Sequence, residues 1–289
     1  MPFFSTKKLA LPASVLLFSL GIINGAPSRA QLSQPVCVEG SAQYLGESDD
    51  GCLKAAEKYE LTIYEMGLCT SDPLILSSGN RVFDKSEASC EATFADNDGK
   101  TANIAGGQIV NLGDDKGTKP PNNTYTHAYI VLSKNITIKG KHAIGDTTYY
   151  SFEYNDNTYG KMGFSSTDLS SYAQFTESVD NVSNSESWGA YMSALDHPDG
   201  GSVTALLIGS GYSVNTNGAS AASSQSAVEK LIGVFAASGD GVIINDNTTG
   251  LEVTLDSTKG MSVFYEGSDN SARLGFGSAP FRPSFTVLN

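Results

Sequence analysis

The sequence predicts a mainly β protein: an antiparallel β-sandwich with a disulfide-stapled N-terminal part and one covering helix. Three observations indicate this fold class. Apolar and polar residues alternate over Thr124–Leu132, a pattern typical of a half-buried strand. Short strand-like runs recur through most of the chain and are separated by turns rich in Asn, Asp and Gly. All four cysteines lie between Cys37 and Cys90, which indicates local cross-links.

The first thirty residues predict a secretory signal peptide. Lys7 and Lys8 form a basic start, an apolar run follows, and the small residues of Ser28-Arg29-Ala30 suit cleavage before Gln31. The apolar run is too short and too interrupted for a membrane span. We therefore expect a secreted, cell-surface or periplasmic protein without a transmembrane segment after cleavage. An uncleaved N-terminal anchor is the alternative.

The composition is acidic, and this disfavours two classes of partner. The whole chain has a formal net charge of −13, and removal of the first thirty residues, which hold three basic and no acidic residues, makes it −16. Nucleic acids and anionic membrane surfaces need compensating Lys and Arg. We therefore expect no nucleic-acid partner.

The cysteines predict two disulfides. An even cysteine count in an exported chain indicates disulfide pairing. Among the three possible connectivities, short loops favour Cys37–Cys52 and Cys69–Cys90, each worth about 3 kcal/mol. A structural metal site would need more closely spaced cysteines, and the three histidines show no ligand spacing either. We therefore expect no metal and no cofactor.

The chain divides into three predicted parts. Residues 1–30 are the signal peptide, residues 31–142 a disulfide-stapled β domain, and residues 143–289 a β-rich second half with one helix and a C-terminal meander. A single continuous domain over 31–289 is the alternative.

The helix of the second half is predicted at residues 226–237, where apolar residues recur at helical spacing: Val228, Leu231, Ile232 and Phe235. The meander follows from three strand-like runs between Gly241 and Glu266. The turn sequences NDNTTG and DSTKG separate these runs. A third turn is predicted at Asp96-Asn97-Asp98-Gly99, where the composition is typical of a hairpin.

Aromatic side chains at alternate positions give the candidate ligand-binding residues. Tyr125, His127 and Tyr129 are predicted to share one face of a strand, where such a ladder can stack on a sugar ring. Packing against a neighbouring strand is the alternative.

A second aromatic face is predicted further along the chain. Tyr150, Phe152 and Tyr154 also occupy alternate positions of a strand-like run.

No catalytic residue is assigned, because the sequence lacks the local motifs that carry chemistry. It contains no G-x-S-x-G, no phosphate-binding loop and no dinucleotide fingerprint. Paired carboxylates for glycoside hydrolysis need no local motif. A hydrolase whose carboxylates are assembled by the fold therefore remains a third hypothesis.

Three segments within residues 52–140 carry a resemblance: YELTIYEMGLCTSDP, CEATF and YTHAYIVLSKNITIKG. They resemble uncharacterised exported β-rich proteins of marine bacteria. They are also similar to prealbumin-like surface modules, in which a strand after a Tyr-Thr start carries alternating apolar residues. The resemblance implies a surface or periplasmic β-sandwich and assigns no activity.

The sequence thus predicts a secreted, non-enzymatic cell-surface β-sandwich protein that acts in adhesion or as an assembling structural subunit. Its expected partners are other copies of itself or surface glycans. The alternative is a periplasmic or extracellular carbohydrate-binding module.

Overall fold

The protein is mainly β and antiparallel, as predicted. The computed structural model describes residues 34–45, 51–106, 118–156, 160–183, 187–196, 201–237, 239–266 and 273–289. The predicted signal peptide, residues 1–30, lies outside these ranges. Strands hold 58% of the described residues and helical turns 3%, which places the fold in the β class.

The strands are numbered in chain order and have the following bounds: β1 (Cys52–Lys54), β2 (Lys58–Cys69), β3 (Leu74–Ser77), β4 (Asn80–Asp84), β5 (Cys90–Asn103), β6 (Asn123–Tyr125), β7 (His127–Ser133), β8 (Asn135–Lys139), β9 (Lys141–Ile144), β10 (Thr147–Asp156), β11 (Gly160–Ser166), β12 (Phe175–Ser178), β13 (Tyr191–Asp196), β14 (Ser202–Ile208), β15 (Gly218–Ser220), β16 (Lys230–Ala236), β17 (Val242–Ile244), β18 (Gly250–Asp256), β19 (Met261–Glu266), β20 (Arg273–Ser278) and β21 (Arg282–Leu288). Short 3-10 helices lie at Leu169–Ser171 and Gln225–Ala227.

Two large sheets organise the described part of the chain. The six-stranded sheet has the order β1-β19-β20-β11-β10-β9. The eight-stranded sheet has the order β12-β8-β2-β7-β16-β14-β13, and β5 also pairs with β2. Three small sheets complete the fold: β15-β4-β3, β17-β6 and β18-β21. Each large sheet contains strands from both sides of residue 142.

The large sheets share one core, which we call the central core. Leu61 and Ile130 of the eight-stranded sheet lie in it together with Val263 and Phe276 of the six-stranded sheet. The two sheets form half-barrels, so the predicted sandwich is not confirmed. A second apolar cluster, the outer cluster, lies on the other face of the eight-stranded sheet and includes Phe83 of the small sheet β15-β4-β3.

The two large sheets are joined at a corner formed by Gly140. This residue alone separates β8 from β9, so the chain passes directly from one sheet into the other. A Cβ atom here would lie 2.3 Å from Met261 Sδ, so a larger residue would displace the end of the buried Met261 side chain. Ser151 Oγ accepts the Gly140 N–H at 3.0 Å and donates to the Ala173 carbonyl at 2.9 Å. The buried Ser151 hydroxyl therefore satisfies the backbone at the bend.

The prediction of a helix at residues 226–237 is wrong, because most of this segment is strand β16. Leu231 and Phe235 pack against the central core, whereas Ile232 and Val234 belong to the outer cluster. Both faces of β16 are therefore buried between β7 and β14. A strand buried on both faces is a continuous apolar run, and such a run satisfies helical spacing as well as strand spacing.

The three strands predicted as a C-terminal meander are present but do not pair with one another. β17 pairs with β6, β18 with β21, and β19 with β1 and β20. The intervening turns do form, with Thr248 N–H donating to the Asn245 carbonyl and Gly260 N–H to that of Ser257. Local turn residues reverse the chain, but they do not choose the partner strand.

The hairpin predicted at Asp96–Gly99 is also absent, since β5 continues through it. The pairing with β2 passes from Lys100 opposite Ile63 to Ala95 opposite Glu65, so the intervening four residues bulge out of the ladder. Gly99 has φ of +77°, the left-handed conformation that glycine accepts without strain.

Both predicted disulfides are confirmed. Cys37–Cys52 ties the N-terminal segment to β1, and Cys69–Cys90 joins residues that face each other on β2 and β5. Disulfides are compatible with a secreted or periplasmic location. Within the described ranges, no helix has the length and apolarity needed to cross a membrane.

A buried carboxylate on β2 connects four parts of the fold. Glu65 is 0% exposed and accepts hydrogen bonds from Lys85 Nζ at 2.9 Å, from the Tyr129 hydroxyl at 2.6 Å and from the Tyr212 hydroxyl. Lys85 Nζ also donates to the Val214 carbonyl at 3.1 Å. The cluster therefore fastens β2, β7, the end of β4 and the Gly-rich segment between β14 and β15.

A second carboxyl, half-buried, lies where the eight-stranded sheet meets the six-stranded one. Glu177 of β12 accepts the Ser278 N–H at 2.5 Å, at the end of β20. Loss of hydration raises the pKa of Glu177 to about 7, because it outweighs the hydrogen bonds from Ser278, and the nearby Asp180 carboxylate adds a smaller rise. Below about pH 7, the protonated form of Glu177 is therefore favoured in the folded state.

We expect Glu65→Gln to lower the free energy of unfolding by about 3–5 kcal/mol, because it leaves the Lys85 ammonium buried without its counter-charge. Glu60→Gln is the matched control on the same strand. It removes a more exposed pair with Lys58, 3.1 Å apart, and should cost at most about 1 kcal/mol. Urea unfolding with intact disulfides measures both. Equal losses for the two variants would contradict the assigned role of Glu65.

The raised pKa of Glu177 predicts a specific pH dependence of stability. Its folded pKa lies above the unfolded value, so its stabilising contribution is complete below about pH 4.5 and is lost as the pH rises through about 7. Glu177→Gln stays neutral and removes this dependence. The melting temperature of the wild type, relative to the variant, should therefore fall between about pH 5 and about pH 8. The exposed Glu87→Gln is the control, and a constant difference between wild type and Glu177→Gln would refute the assignment.

Candidate functional site

The structure separates the three side chains predicted to share one binding face. β6 ends at Tyr125 and β7 begins at His127, so Thr126 interrupts the strand. Tyr125 packs with Ala128 in a small apolar cluster, whereas Tyr129 belongs to the outer cluster. The interruption turns Tyr125 away from the face that Tyr129 occupies.

Tyr129 is part of the internal framework. Its ring is 2% exposed and lies 5.1 Å from the Phe83 ring, between centroids. Its hydroxyl donates to Glu65. Burial and the neighbouring Glu65 carboxylate raise the pKa of this hydroxyl, which remains a donor. The ring is thus enclosed by protein on the side where a ligand was expected.

Tyr125 and His127, in contrast, line one cleft, which we call the His127 cleft. It has a volume of about 250 Å³ and lies where β7 and β16 meet β17 and β21. Further lining residues include Phe235, Arg282 and Phe285. Tyr125 is nearly fully buried, and its hydroxyl donates to the Pro121 carbonyl at 2.9 Å.

The second predicted set, Tyr150, Phe152 and Tyr154, shares one outward face of β10. The alternate residues of this strand point inward: Tyr149 packs against the central core and Ser151 is fully buried. Tyr150 and Phe152 are half-buried, and 36% of Tyr154 is exposed. The six-stranded sheet therefore carries these three rings on the side opposite its core.

Strand pairing extends these rings across the sheet. Phe164 of β11 faces Phe152 in register, and its ring meets Tyr154 edge-on at 4.9 Å between centroids. On the other side of Phe164, the register continues through Gly275 to Phe264. A Cβ at Gly275 would lie 2.3 Å from the Phe264 ring, so the glycine lets that ring lie against the sheet.

Polar groups border these rings at one end. Tyr172 lies 5.1 Å from Tyr150 between ring centroids and donates its hydroxyl to Glu57. Lys139 Nζ lies 4.0 Å above the Tyr172 ring, and Lys141 Nζ is 3.0 Å from Glu57. Partial burial of Glu57 opposes its ionisation, but hydrogen bonds from Tyr172 and Lys141 prevail and lower its pKa. The carboxylate is therefore ionised and accepts hydrogen bonds.

We call this surface the outer aromatic strip and define it by six residues: Tyr150, Phe152, Tyr154, Phe164, Tyr172 and Phe264. The sequence identified the three on β10 by their alternation. Phe164, Tyr172 and Phe264 lack a local signal, because strand register and ring contacts bring them to the strip. Among the residues that the structure describes, no group of three or more His, Cys, Asp or Glu is placed to hold a metal ion.

Comparisons with known proteins identified no relative of the chain. No protein-family model, no curated protein and no solved structure matches the chain. The outer aromatic strip and the His127 cleft are therefore the two surfaces from which a function can be inferred.

Proposed function

We propose that the protein is an exported, non-enzymatic binding protein that attaches to glycans at a cell surface through the outer aromatic strip. The observation that carries this proposal is the alignment of Tyr150, Phe152 and Tyr154 on the outward face of the six-stranded sheet. Adhesion and carbohydrate binding, two separate predictions from the sequence, then become one activity of the same surface.

The spacing of the rings suits an extended oligosaccharide. Alternate residues of a strand lie about 6.7 Å apart, so Tyr150 and Tyr154 are separated by roughly 13 Å. Rings on a sheet present apolar faces of fixed position, and the C–H faces of successive sugar units can stack on them. Phe164 on the neighbouring strand makes an edge-on contact with Tyr154, which holds the more exposed ring in place.

The polar end of the strip supplies hydrogen bonds that the rings lack. Glu57 accepts and Lys141 donates, and the Lys141 side chain is 50% exposed. Lys139 above Tyr172 adds a second donor beside a ring. Sugar recognition needs apolar faces next to a few directed polar groups. This end of the strip combines both within the reach of one ligand.

The predicted signal peptide and the disulfides support an extracellular setting for this activity. Two disulfides suit an oxidising compartment. The acidic composition disfavours attachment to nucleic acid or to bare anionic lipid. A neutral or weakly charged glycan remains as the surface component that the strip fits best.

We expect the double variant Tyr150→Ala/Tyr154→Ala to weaken glycan binding by about tenfold or more, because it removes both ends of the stacking surface. A glycan array with the mature protein identifies the ligand, and affinity electrophoresis with the selected polysaccharide measures the loss. The matched control is Tyr191→Ala. Tyr191 is a half-buried tyrosine of the other large sheet, stacked under Arg81 at 4.4 Å, and its removal should leave binding unchanged.

Two outcomes would contradict the proposal. One is a folded wild-type protein that binds no glycan on the array. The other is binding that survives the double variant. Light scattering over a concentration series runs in parallel, and concentration-dependent polymers would point to the assembling structural subunit instead.

A further inference from the structure

Residues 34–45 form a strap that connects the two edges of the six-stranded sheet, which are β1 and β9. At one edge, Val36 makes a parallel bridge to Leu53 of β1. At the other edge, Gly40 makes a parallel bridge to Ile144 of β9. The strap therefore closes this sheet and covers backbone groups of both edges, with which a strand of another chain could otherwise pair.

The two attachments of the strap differ in strength. On the β1 side, the disulfide Cys37–Cys52 fixes it covalently. On the β9 side, the Gly145 N–H donates to the Gly40 carbonyl at 2.9 Å. The strap is exposed at residues 38–40 and 42–43, so these positions bury little apolar surface. Segments with few buried contacts open locally more easily than the rest of a fold. We therefore expect the β9 side to open first.

A fully buried histidine of β9 contacts the strap. His142 is 0% exposed, and its Nε2 lies 3.0 Å from the Ser41 carbonyl oxygen. A carbonyl oxygen only accepts, so the proton of the neutral ring resides on Nε2. The Nδ1 lone pair is buried too, and no group in the described ranges donates a hydrogen bond to it. Nδ1 is therefore the atom at which the ring can take up a second proton.

The charged groups around this nitrogen come from the strap and from β1. Glu39 Oε2 lies 4.0 Å from His142 Nδ1 and 2.9 Å from Lys54 Nζ, and the Glu39 side chain is 66% exposed. Tyr149 of β10 is the ladder partner of His142, whereas the adjacent Lys141 pairs at the polar end of the outer aromatic strip. Because Glu39 is already paired and largely in solvent, it compensates only part of a charge on the buried ring.

These surroundings favour the neutral form of His142 while the strap is closed. Loss of hydration lowers the pKa of His142 and, together with Lys54, outweighs the hydrogen bond to Ser41 and the Glu39 carboxylate, which raise it. With the strap open, the ring is in water and has an ordinary pKa of about 6.5. The resulting stabilisation of the closed strap is present above about pH 6.5 and is lost as the pH falls through the lower pKa of the buried ring.

The carboxylate beside the ring does not titrate over the same range. The hydrogen bond from Lys54 holds the pKa of Glu39 below its ordinary value, so Glu39 stays ionised while His142 changes its charge. The histidine is thus the group of this cluster that responds to mild acid.

We propose that residues 38–43 of the strap are a pH-sensitive latch, which is closed on β9 at neutral pH and opens when protonation puts a charge on the buried His142 ring. Opening brings the ring into water and uncovers the edge of β9. The disulfide Cys37–Cys52 keeps the strap attached to β1, so the movement is local and reversible. The latch goes beyond the proposed function, because it controls the closure of the sheet and needs no glycan.

The test is amide hydrogen exchange of the mature, disulfide-bonded protein at about pH 7.5 and about pH 5, with each rate divided by the intrinsic rate at that pH. The Gly145 N–H reports on the latch, because it donates to the Gly40 carbonyl. We expect its protection to fall by at least about threefold at the lower pH. The Ser151 N–H, which donates to the Gly140 carbonyl at 2.9 Å away from the strap, should lose less protection.

Two variants assign the effect to one histidine. His142→Gln keeps a neutral N–H donor for the Ser41 carbonyl but takes up no proton, so its Gly145 protection should be equal at the two pH values. His127→Gln is the matched control, because it removes a half-buried histidine of the other large sheet. It should retain the fall in Gly145 protection that the wild type shows.

The proposal is overturned if Gly145 protection in the wild type is constant or rises at the lower pH, or if it falls equally in His142→Gln. Circular dichroism confirms that each variant is folded. Should His142→Gln unfold, the wild-type imidazole decides the question through NMR of its ring nitrogens. We expect the Nε2-protonated tautomer at neutral pH and a titration midpoint below that of a free imidazole. A midpoint at or above about 6.5 would overturn the proposal.

Discussion

The fold depends on one fully buried carboxylate, Glu65, which lies beside Tyr129 and Tyr212 of the outer cluster. An ion in such a place is tolerated only when several donors surround it. Lys85, Tyr129 and Tyr212 come from three separate parts of the chain to meet that requirement. The small sheet β15-β4-β3 and the Gly-rich segment before it must therefore be in position whenever the eight-stranded sheet is formed. One electrostatic demand thus couples the outer cluster to the central sheet.

Two surfaces away from the Glu65 cluster remain as candidate sites. The outer face of the eight-stranded sheet is committed to the Glu65 cluster and to the outer cluster, which enclose Tyr129. The six-stranded sheet has its core side against the shared interior, so its outward side is available for the outer aromatic strip. The His127 cleft arises where the small sheets β17-β6 and β18-β21 end against β7 and β16.

The sequence predicted those features that depend on neighbours in the chain. The disulfides follow from spacing, and the strand at Tyr150–Tyr154 follows from alternation. The helix prediction for residues 226–237 failed because a strand that is buried on both faces has no apolar–polar alternation to distinguish it from a helix. The prediction of a meander failed because the turn residues at Asn245 and Ser257 reverse the chain direction but do not specify which strand pairs with which.

The candidate sites were predictable to the same extent. Tyr150, Phe152 and Tyr154 lie on one strand, so their common face could be read from alternation. Phe264 joins them only through the register of β19, β20 and β11, which depends on side-chain packing far along the chain. Tyr125 and His127, which were predicted to share a strand face with Tyr129, both line one cleft, whereas Tyr129 is buried in the outer cluster. Arg282, which also lines that cleft, comes from a strand with no local relation to them.

The pairing of Cys69 with Cys90 has a consequence for when the protein folds. The bond fixes the last residue of β2, four residues beyond Glu65, so the disulfide and the buried ion pair constrain the same strand. Loss of native disulfides typically removes about 2–5 kcal/mol, a large share of the stability of a domain. In a reducing cytosol the thiols stay apart. Under the proposed export route, the precursor would then remain loose enough for translocation and would become rigid only after oxidation outside.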